Sequence, residues 1–267
     1  MFYNAKNGNI KIGDTDMDYV SFGKGVNNLI MIPGLGDGLK TVKGTAAAIS
    51  MMYKCFANDY KIYVFSRKND LEKGYSTRDM AADHKAAMEK LNITQADIFG
   101  VSQGGMIAQY MAIDYPESVR KLVLAVTLSR QNETIQKAVG SWLKMAEAND
   151  YKSIFIDTTE KSYTDKRLKK YRPFYPILSR IGKPKDFSRF IIQASACISH
   201  DAYDELDKIK CPVLIIGAGD DKIAGVNASK EIAGKIKNSE LIIYEGFGHG
   251  VYDEAKDFNR RVLEFLR

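Results

Sequence analysis

A hydroxyl, an imidazole and a carboxylate that could share one acyl-transfer reaction each stand in a glycine-rich turn of this sequence. The hydroxyl is Ser102, in Asp97-Ile-Phe-Gly-Val-Ser-Gln-Gly-Gly-Met106. Ile98, Phe99 and Val101 read as a short buried strand, and from Gln103 onward Met106, Tyr110 and Ile113 recur at helical spacing. This is a G-x-S-x-G corner between a strand and a helix. Such a corner holds the serine in a strained backbone conformation and draws neighbouring segments close, so a side chain at position 100 or 104 would collide with them. It also aims the first amides of the new helix at whatever the hydroxyl attacks.

A serine needs a base, and the chain has only three histidines. His84 occupies the apolar face of a predicted helix and reads as a structural residue. His200 ends a helical stretch, and no strand presents it. His249 lies in Gly246-Phe-Gly-His-Gly250, directly after the last predicted strand, where a flexible loop can carry an imidazole over a sheet edge. The carboxylate that orients it should also follow a strand. The run ending at Gly217 continues into Ala218-Gly-Asp-Asp221. Asp220 is the expected partner, as the first carboxylate beyond the strand, with Asp221 as a surface loop residue.

These turns require strands and helices in alternation, and the chain supplies them. Residues 2–12 and 17–22 read as two strands with turn chemistry at Gly8, Asn9, Gly13 and Asp14. A fully apolar strand follows at Leu29–Ile32, and further strands read at Ile62–Phe65, 96–101, Leu122–Ala125, Pro212–Ile216 and Leu241–Tyr244. Helices are predicted at about 42–57, from the capping box Ser76-Thr-Arg-Asp79 to about Leu91, after Ser102, at about 227–237, and at the C-terminus with Ala255, Phe258, Val262 and Phe265 facing inward. The order implies an α/β protein with a mainly parallel sheet covered on both faces.

One stretch interrupts the alternation. Residues 130–205 show no strand pair, and aromatic residues there are interleaved with cations. This segment must leave the sheet and return, which suggests a helical cap over the strands' carboxyl ends, where open α/β sheets place ligands. The expected division is a core of residues 1–129 and 206–267 with a cap at 130–205. The cap also concentrates charge. Residues 151–190 hold eleven Lys or Arg against four Asp or Glu, whereas the whole chain is only +6. Such a lobe could be a solvated face, or it could attract an anionic substrate or surface. No nucleic-acid motif accompanies it.

The 267 residues, 45% hydrophobic, suffice for one large α/β domain. The opening Met-Phe-Tyr-Asn-Ala-Lys lacks the apolar run of a secretory signal, and no run would span a bilayer, so a soluble cytoplasmic protein is expected. Cys55, Cys197 and Cys211 are odd in number, without C-x-x-C spacing. They argue against a disulfide framework or a zinc site and read as small core residues.

The order Ser102, Asp220, His249 with these landmarks resembles the α/β-hydrolases over nearly the whole length. The matching features are the Pro33-Gly-Leu-Gly loop, the Gly-Val-Ser-Gln-Gly-Gly elbow, Gly-Ala-Gly-Asp and the late Gly-His. The core is similar to cap-bearing esterases, lactonases and carbon–carbon bond hydrolases. The resemblance implies an α/β-hydrolase fold, with a mainly parallel eight-stranded sheet flanked by helices and an inserted helical cap. It also implies an oxyanion hole from the amides of Leu35 and Gln103. Many relatives open the Leu35 loop with His-Gly. Here it is Pro33-Gly34, which supplies no side-chain hydrogen bond.

The expected activity is serine hydrolysis of a carboxylic ester through an acyl-enzyme, on a small, largely apolar acyl substrate. Leu35, Met106 and Trp142 are the expected pocket residues, with no cofactor or metal required. Lactone, thioester and carbon–carbon cleavage or acyl transfer would use the same groups. A non-catalytic small-ligand receptor is the alternative of another class. A monomer or homodimer without nucleic acid is expected.

Overall fold

Alternating side chains on continuous apolar strands bury both faces of one twisted sheet. The computed structural model describes residues 3–267. Its strands are β1 (Lys6–Ile12), β2 (Thr15–Phe22), β3 (Asn27–Ile32), β4 (Tyr60–Lys68), β5 (Ala96–Val101), β6 (Val119–Ala125), β7 (Val213–Ala218) and β8 (Ser239–Tyr244). They are ordered β1-β2-β4-β3-β5-β6-β7-β8, so the chain reverses direction across the sheet between β4 and β5. β1 pairs with β2, and β2 with β4, in antiparallel fashion, and every other pairing is parallel. The chain thus has the eight-stranded, mainly parallel sheet of an α/β-hydrolase fold. Residue 2, included in the expected first strand, lies outside the described residues.

The helices are α1 (Ala46–Met52), α2 (Thr77–Lys90), α3 (Gln103–Asp114), α4 (Glu133–Glu147), α5 (Tyr151–Ser162) and α6 (Asp165–Tyr171). After them come α7 (Tyr175–Leu178), α8 (Ser188–Ile198), α9 (Ala228–Lys235), α10 (Val251–Glu254) and α11 (Phe258–Leu266). One sheet face, with Ile30, Ile98, Leu122 and Ile215, packs on α2, α3 and α9 through Met88, Met111 and Ile232. The other face, with Met31, Phe99, Val123 and Ile216, packs on α1 and α11 through Ala46, Phe258 and Val262. The two sets are successive residues of the same strands, as the period of two demands.

α2 begins as the sequence indicates. The Ser76 hydroxyl accepts from the Asp79 amide at 3.1 Å, and the Asp79 carboxylate accepts from the Ser76 amide at 2.8 Å. α1 is shorter than the expected 42–57 helix. Gly44 at φ +79° breaks the chain before it, and a 3-10 turn over Lys54–Phe56 ends it. That turn buries Phe56 and rotates Cys55 outward, so Cys55 is exposed and not a core residue.

Between β6 and β7 the described chain is helical, α4 to α8, and its two ends meet. Arg130 and Asp201 form an isolated β-bridge, and the Ala202 amide donates to the Ser129 carbonyl at 2.7 Å. A third apolar cluster lies between these helices and the sheet, built from Leu35, Leu128, Ile135, Trp142, Phe187 and Phe190 among others.

The tightest junction in the fold is where α3 leaves β5 and passes β3. A Cβ on Gly104 would stand 1.9 Å from the Ile32 carbonyl oxygen, which is backbone and cannot give way. Gly140 in α4 has open space around it. Gly104→Ala should therefore cost about 3 kcal/mol or more, whereas Gly140→Ala should stabilise by roughly 0.5–1 kcal/mol. Urea unfolding of the two variants checks the contrast, and equal midpoints would refute it.

Candidate active site

Ser102 sits between β5 and α3 at φ 54° and ψ −119°, a strained region for a residue with a side chain. Its amide is held by the Ala125 carbonyl of β6 at 2.9 Å. Its carbonyl accepts from the Gly105 amide at 2.8 Å and the Thr127 hydroxyl at 2.7 Å. The corner is thereby pinned from β6 and from its own helix. The loop after β3 comes down on it, because Gly34 has no side chain. A Cβ there would be 3.3 Å from the Ser102 Cβ. Leu35 opens the short 3-10 turn Leu35–Gly38, and Gln103 opens α3. First-turn amides have no acceptor within their own helix, so both are available to a ligand.

His249 is carried by the loop after β8. Gly248 and Gly250 press that loop against the end of α5, with the Gly250 amide donating to the Ser162 carbonyl at 2.8 Å. The imidazole Nδ1 meets Asp221, not Asp220, at 2.9 Å from Oδ2 and 3.0 Å from Oδ1. The expected Asp220 pairing is corrected by the way the sheet ends. Beyond β7 the Gly219 and Asp220 amides still bond to the Tyr244 and Phe247 carbonyls, both at 2.9 Å, so the ladder continues along the β8 side. This leaves the Asp220 side chain exposed and turns Asp221 underneath. There Oδ1 also accepts from the Ile223 amide at 2.8 Å and the Ala224 amide at 2.9 Å. Burial pushes the Asp221 carboxyl upward, but the adjacent imidazole and these donors hold it below the usual carboxylate value.

The loop bearing Leu35 rests on a buried charge cluster instead of a histidine. Arg67, at the end of β4, is wholly inaccessible to solvent. Its Nη2 donates to the Pro33 carbonyl at 2.6 Å and to Gln103 Oε1 at 2.8 Å, so one guanidinium ties the loop to the first residue of α3. Asp37 in the loop accepts from the Arg67 amide at 3.1 Å and from Arg189 Nη2 of α8 at 2.5 Å. The Arg67–Asp37 ion-pair distance is long, 3.9 Å, so Arg189 is the closer counter-charge. Burial pulls the Arg67 guanidinium down to about 10 against the pull of Asp37, which still leaves it charged at neutral pH. The Gln103 side-chain amide completes the link by donating to the Gln193 carbonyl of α8 at 2.7 Å.

Ser102 and His249 line one cavity of about 340 Å³, together with Pro33, Gly34, Leu35 and Trp142. The Trp142 indole is oriented by donating to Asp157 at 2.6 Å. Met106 is not part of the lining; it is buried in the cluster shared by Leu35 and Trp142. The reason is helical phase. Met106 lies on the first turn of α3 and points toward the helices above, behind the cavity wall. Sequence reasoning missed Tyr53, Thr158, Ser162, Ile223 and Tyr252, all of which line the cavity. Burial raises the Tyr252 phenol to about 12 and that of Tyr53 above its ordinary value, so both are hydroxyl donors at neutral pH. Ile223, two residues past Asp221, and Tyr252, three residues past His249, stood near recognised motifs. Among the described residues no His, Cys, Asp or Glu group is arranged to hold a metal ion.

Residues 27–256 match the family described as alpha/beta hydrolase fold. The chain belongs to that family. It is 30% identical over 206 residues to the AB hydrolase superfamily protein YisY of Bacillus subtilis, covering 72% of this chain and 74% of the relative. It is 28% identical over 192 residues to a 2-hydroxy-6-oxononadienedioate/2-hydroxy-6-oxononatrienedioate hydrolase of Pseudomonas, covering 68% of this chain and 66% of the relative. In three dimensions it resembles the enol-lactonase of Burkholderia xenovorans, with a TM-score of 0.82 at 16% identity, covering 97% of this chain and 99% of the other.

The other two histidines of this alpha/beta hydrolase stand outside the site. His84 Nδ1 meets the Met80 carbonyl at 2.7 Å, and His200 Nδ1 meets the Thr77 hydroxyl at 2.8 Å. Burial lowers their pKa values from 6.5 to about 4 and about 3 respectively. The unfolded chain therefore binds more protons than the folded one below pH 6.5. Their contribution is fully present above that pH and is lost as pH falls toward the folded values. Urea unfolding should show a loss of about 2 kcal/mol per histidine between pH 6.5 and roughly pH 5, and His84→Gln should flatten its share. A stability that does not change over that range would contradict the assignment.

Proposed function

We propose that this chain is a serine hydrolase that cleaves a carboxylic ester, or a related acyl bond, of a small and largely apolar substrate. The observation that carries this reading is the shared cavity. Ser102 in its strained corner faces the same space as His249, and the far side of that imidazole is fixed by Asp221.

The mechanism follows from these positions. With Nδ1–H donated to Asp221, the neutral imidazole presents Nε2 as the acceptor. Nε2 takes the Ser102 proton as Oγ attacks the substrate carbonyl. Charge collects on the carbonyl oxygen, where the Leu35 and Gln103 amides act as donors, each worth about 3 kcal/mol in such a role. The imidazolium is stabilised by the Asp221 carboxylate and returns its proton to the leaving group. Water then repeats the sequence on the acyl-enzyme. The helices of residues 130–205 act as a cap that excludes bulk water from this chemistry.

The lining favours an uncharged substrate. Leu35, Val101, Trp142 and Ile223 supply apolar contact, Tyr53 and Tyr252 supply hydroxyls, Asp37 adds a carboxylate, and among the described residues neither lysine nor arginine lines the cavity. The Pseudomonas relative is named for a dioate, and a dianion would find no cation in this wall. Lactones, thioesters and acyl transfer to an alcohol remain within the same chemistry.

Turnover of a short-chain p-nitrophenyl ester tests the roles. Ser102→Ala should abolish it, and a fluorophosphonate should label the native protein but not that variant. Asp221→Asn should lower kcat by roughly 10⁴, while Asp220→Asn should stay within about twofold of the parent, as expected of an exposed side chain. Full activity in Ser102→Ala would remove Ser102 as the nucleophile, and tight ligand binding without labelling would replace this reading with a non-catalytic receptor.

A further inference from the structure

We propose that the tip of the helical segment, residues 166–185, is a docking surface for an anionic lipid interface. Two independent features coincide there. The first is apolar exposure. Phe174, Ile177 and Ile181 are 57%, 63% and 62% exposed. They are spaced by three and four residues through the end of the 3-10 turn Arg172–Phe174, α7 and the turn after it, a spacing that brings side chains to one side of a helical run. The opposite side is anchored. Tyr175 is buried and donates to Glu160 at 2.8 Å, Arg172 grips the same carboxylate at 2.7 and 2.9 Å, and the Tyr151 hydroxyl donates to the Ile181 carbonyl at 2.8 Å. The apolar side is therefore held outward by a fixed backing.

The second feature is charge. Residues 166–185 contain eight Lys or Arg and no Asp or Glu. Arg167 and Arg172 are paired, with Asp253 and Glu160. Among the described residues Lys166, Lys169, Lys170, Arg180, Lys183 and Lys185 form no ion pair.

Exposed apolar side chains interspersed along the chain with unpaired cations suit a surface that is negative outside and oily beneath. Lipid phosphates would meet the lysines, and Phe174, Ile177 and Ile181 would enter the acyl boundary. The other occupants fit less well. Isoleucines gain nothing from a nucleic-acid backbone, whose binding is electrostatic or by aromatic stacking. A second copy meeting this face by a two-fold axis would set the same unpaired cations against each other. The backing helix α5 also walls the cavity through Thr158 and Ser162, so docking here would bring the cavity wall beside the lipid. The inference does not depend on the chemistry assigned to Ser102.

Co-sedimentation of the full chain with phosphatidylcholine vesicles, with and without roughly 30% phosphatidylglycerol, tests it. At low salt the anionic vesicles should bind at least tenfold more strongly, and at about 0.5 M salt that preference should collapse. The triple variant Phe174→Ser, Ile177→Ser, Ile181→Ser should lose most of the binding, as should Lys169→Glu with Lys170→Glu. Both sets alter exposed positions, and unchanged circular dichroism shows that the fold is retained. Equal binding to both vesicles, no binding to either, or full binding by the apolar triple variant would overturn the proposal. So would self-association of the free protein that the triple variant abolishes while vesicles remain unbound. Repeating the assay with Ser102→Ala should leave vesicle binding unchanged.

Discussion

The buried carboxylate of Asp37 is the constraint around which the upper half of this molecule is arranged. A lone ion with so little solvent would be costly by several kcal/mol. It is tolerated because Arg189 approaches from α8 and Arg67 from β4. The position of the backbone in the loop bearing Leu35 then follows. Asp37 lies in the same short turn as Leu35, and Arg67 donates through Nη2 to both Pro33 and Gln103. Three segments distant in sequence are thus fixed by one cluster. Removing one member of such a set strands the others, a loss of about 3–5 kcal/mol in comparable cases. The cluster does more for position than for net stability.

The histidine side of the site is held differently, by backbone. The Asp221 carboxylate receives the Ile223 and Ala224 amides as well as the imidazole. The loop bearing His249 is pressed onto the end of α5 by two glycines whose hypothetical side chains would strike Ser162 and Tyr163. One half of the cavity therefore depends on charge and the other on close approach of main chain. Asp37, held low by the two guanidiniums although burial alone would raise it, loses its role once pH falls through its depressed value.

Much of this fold is written locally. Apolar runs of strand length, a capping box at Ser76, and glycines around Ser102 and His249 need no tertiary information to be read. What escaped depended on contacts across the sheet. Asp220 and Asp221 are adjacent, and only the continuation of the β7–β8 ladder through Gly219 and Asp220 decides which of them turns inward. Met106 has the right periodicity for the wall but the wrong phase. Arg67 reads as an ordinary cation at the end of a strand; its burial becomes evident only when Asp37 and Arg189 arrive from 30 and 122 residues away. Tyr53 and Tyr252 belong to separate helical turns that only the packed α1 and α10 bring to one cavity.

The seam at Ser129–Ala202 and Arg130–Asp201 bears on how such a molecule can be rebuilt. Because the excursion departs and returns at one point, it could be exchanged for a shorter or longer one without disturbing strand register. Arg189 sets the limit on that modularity. It lies within the exchangeable stretch yet neutralises Asp37 in the part that stays. A recombinant inheriting foreign helices would need an equivalent cation there, or would have to replace the aspartate at the same time.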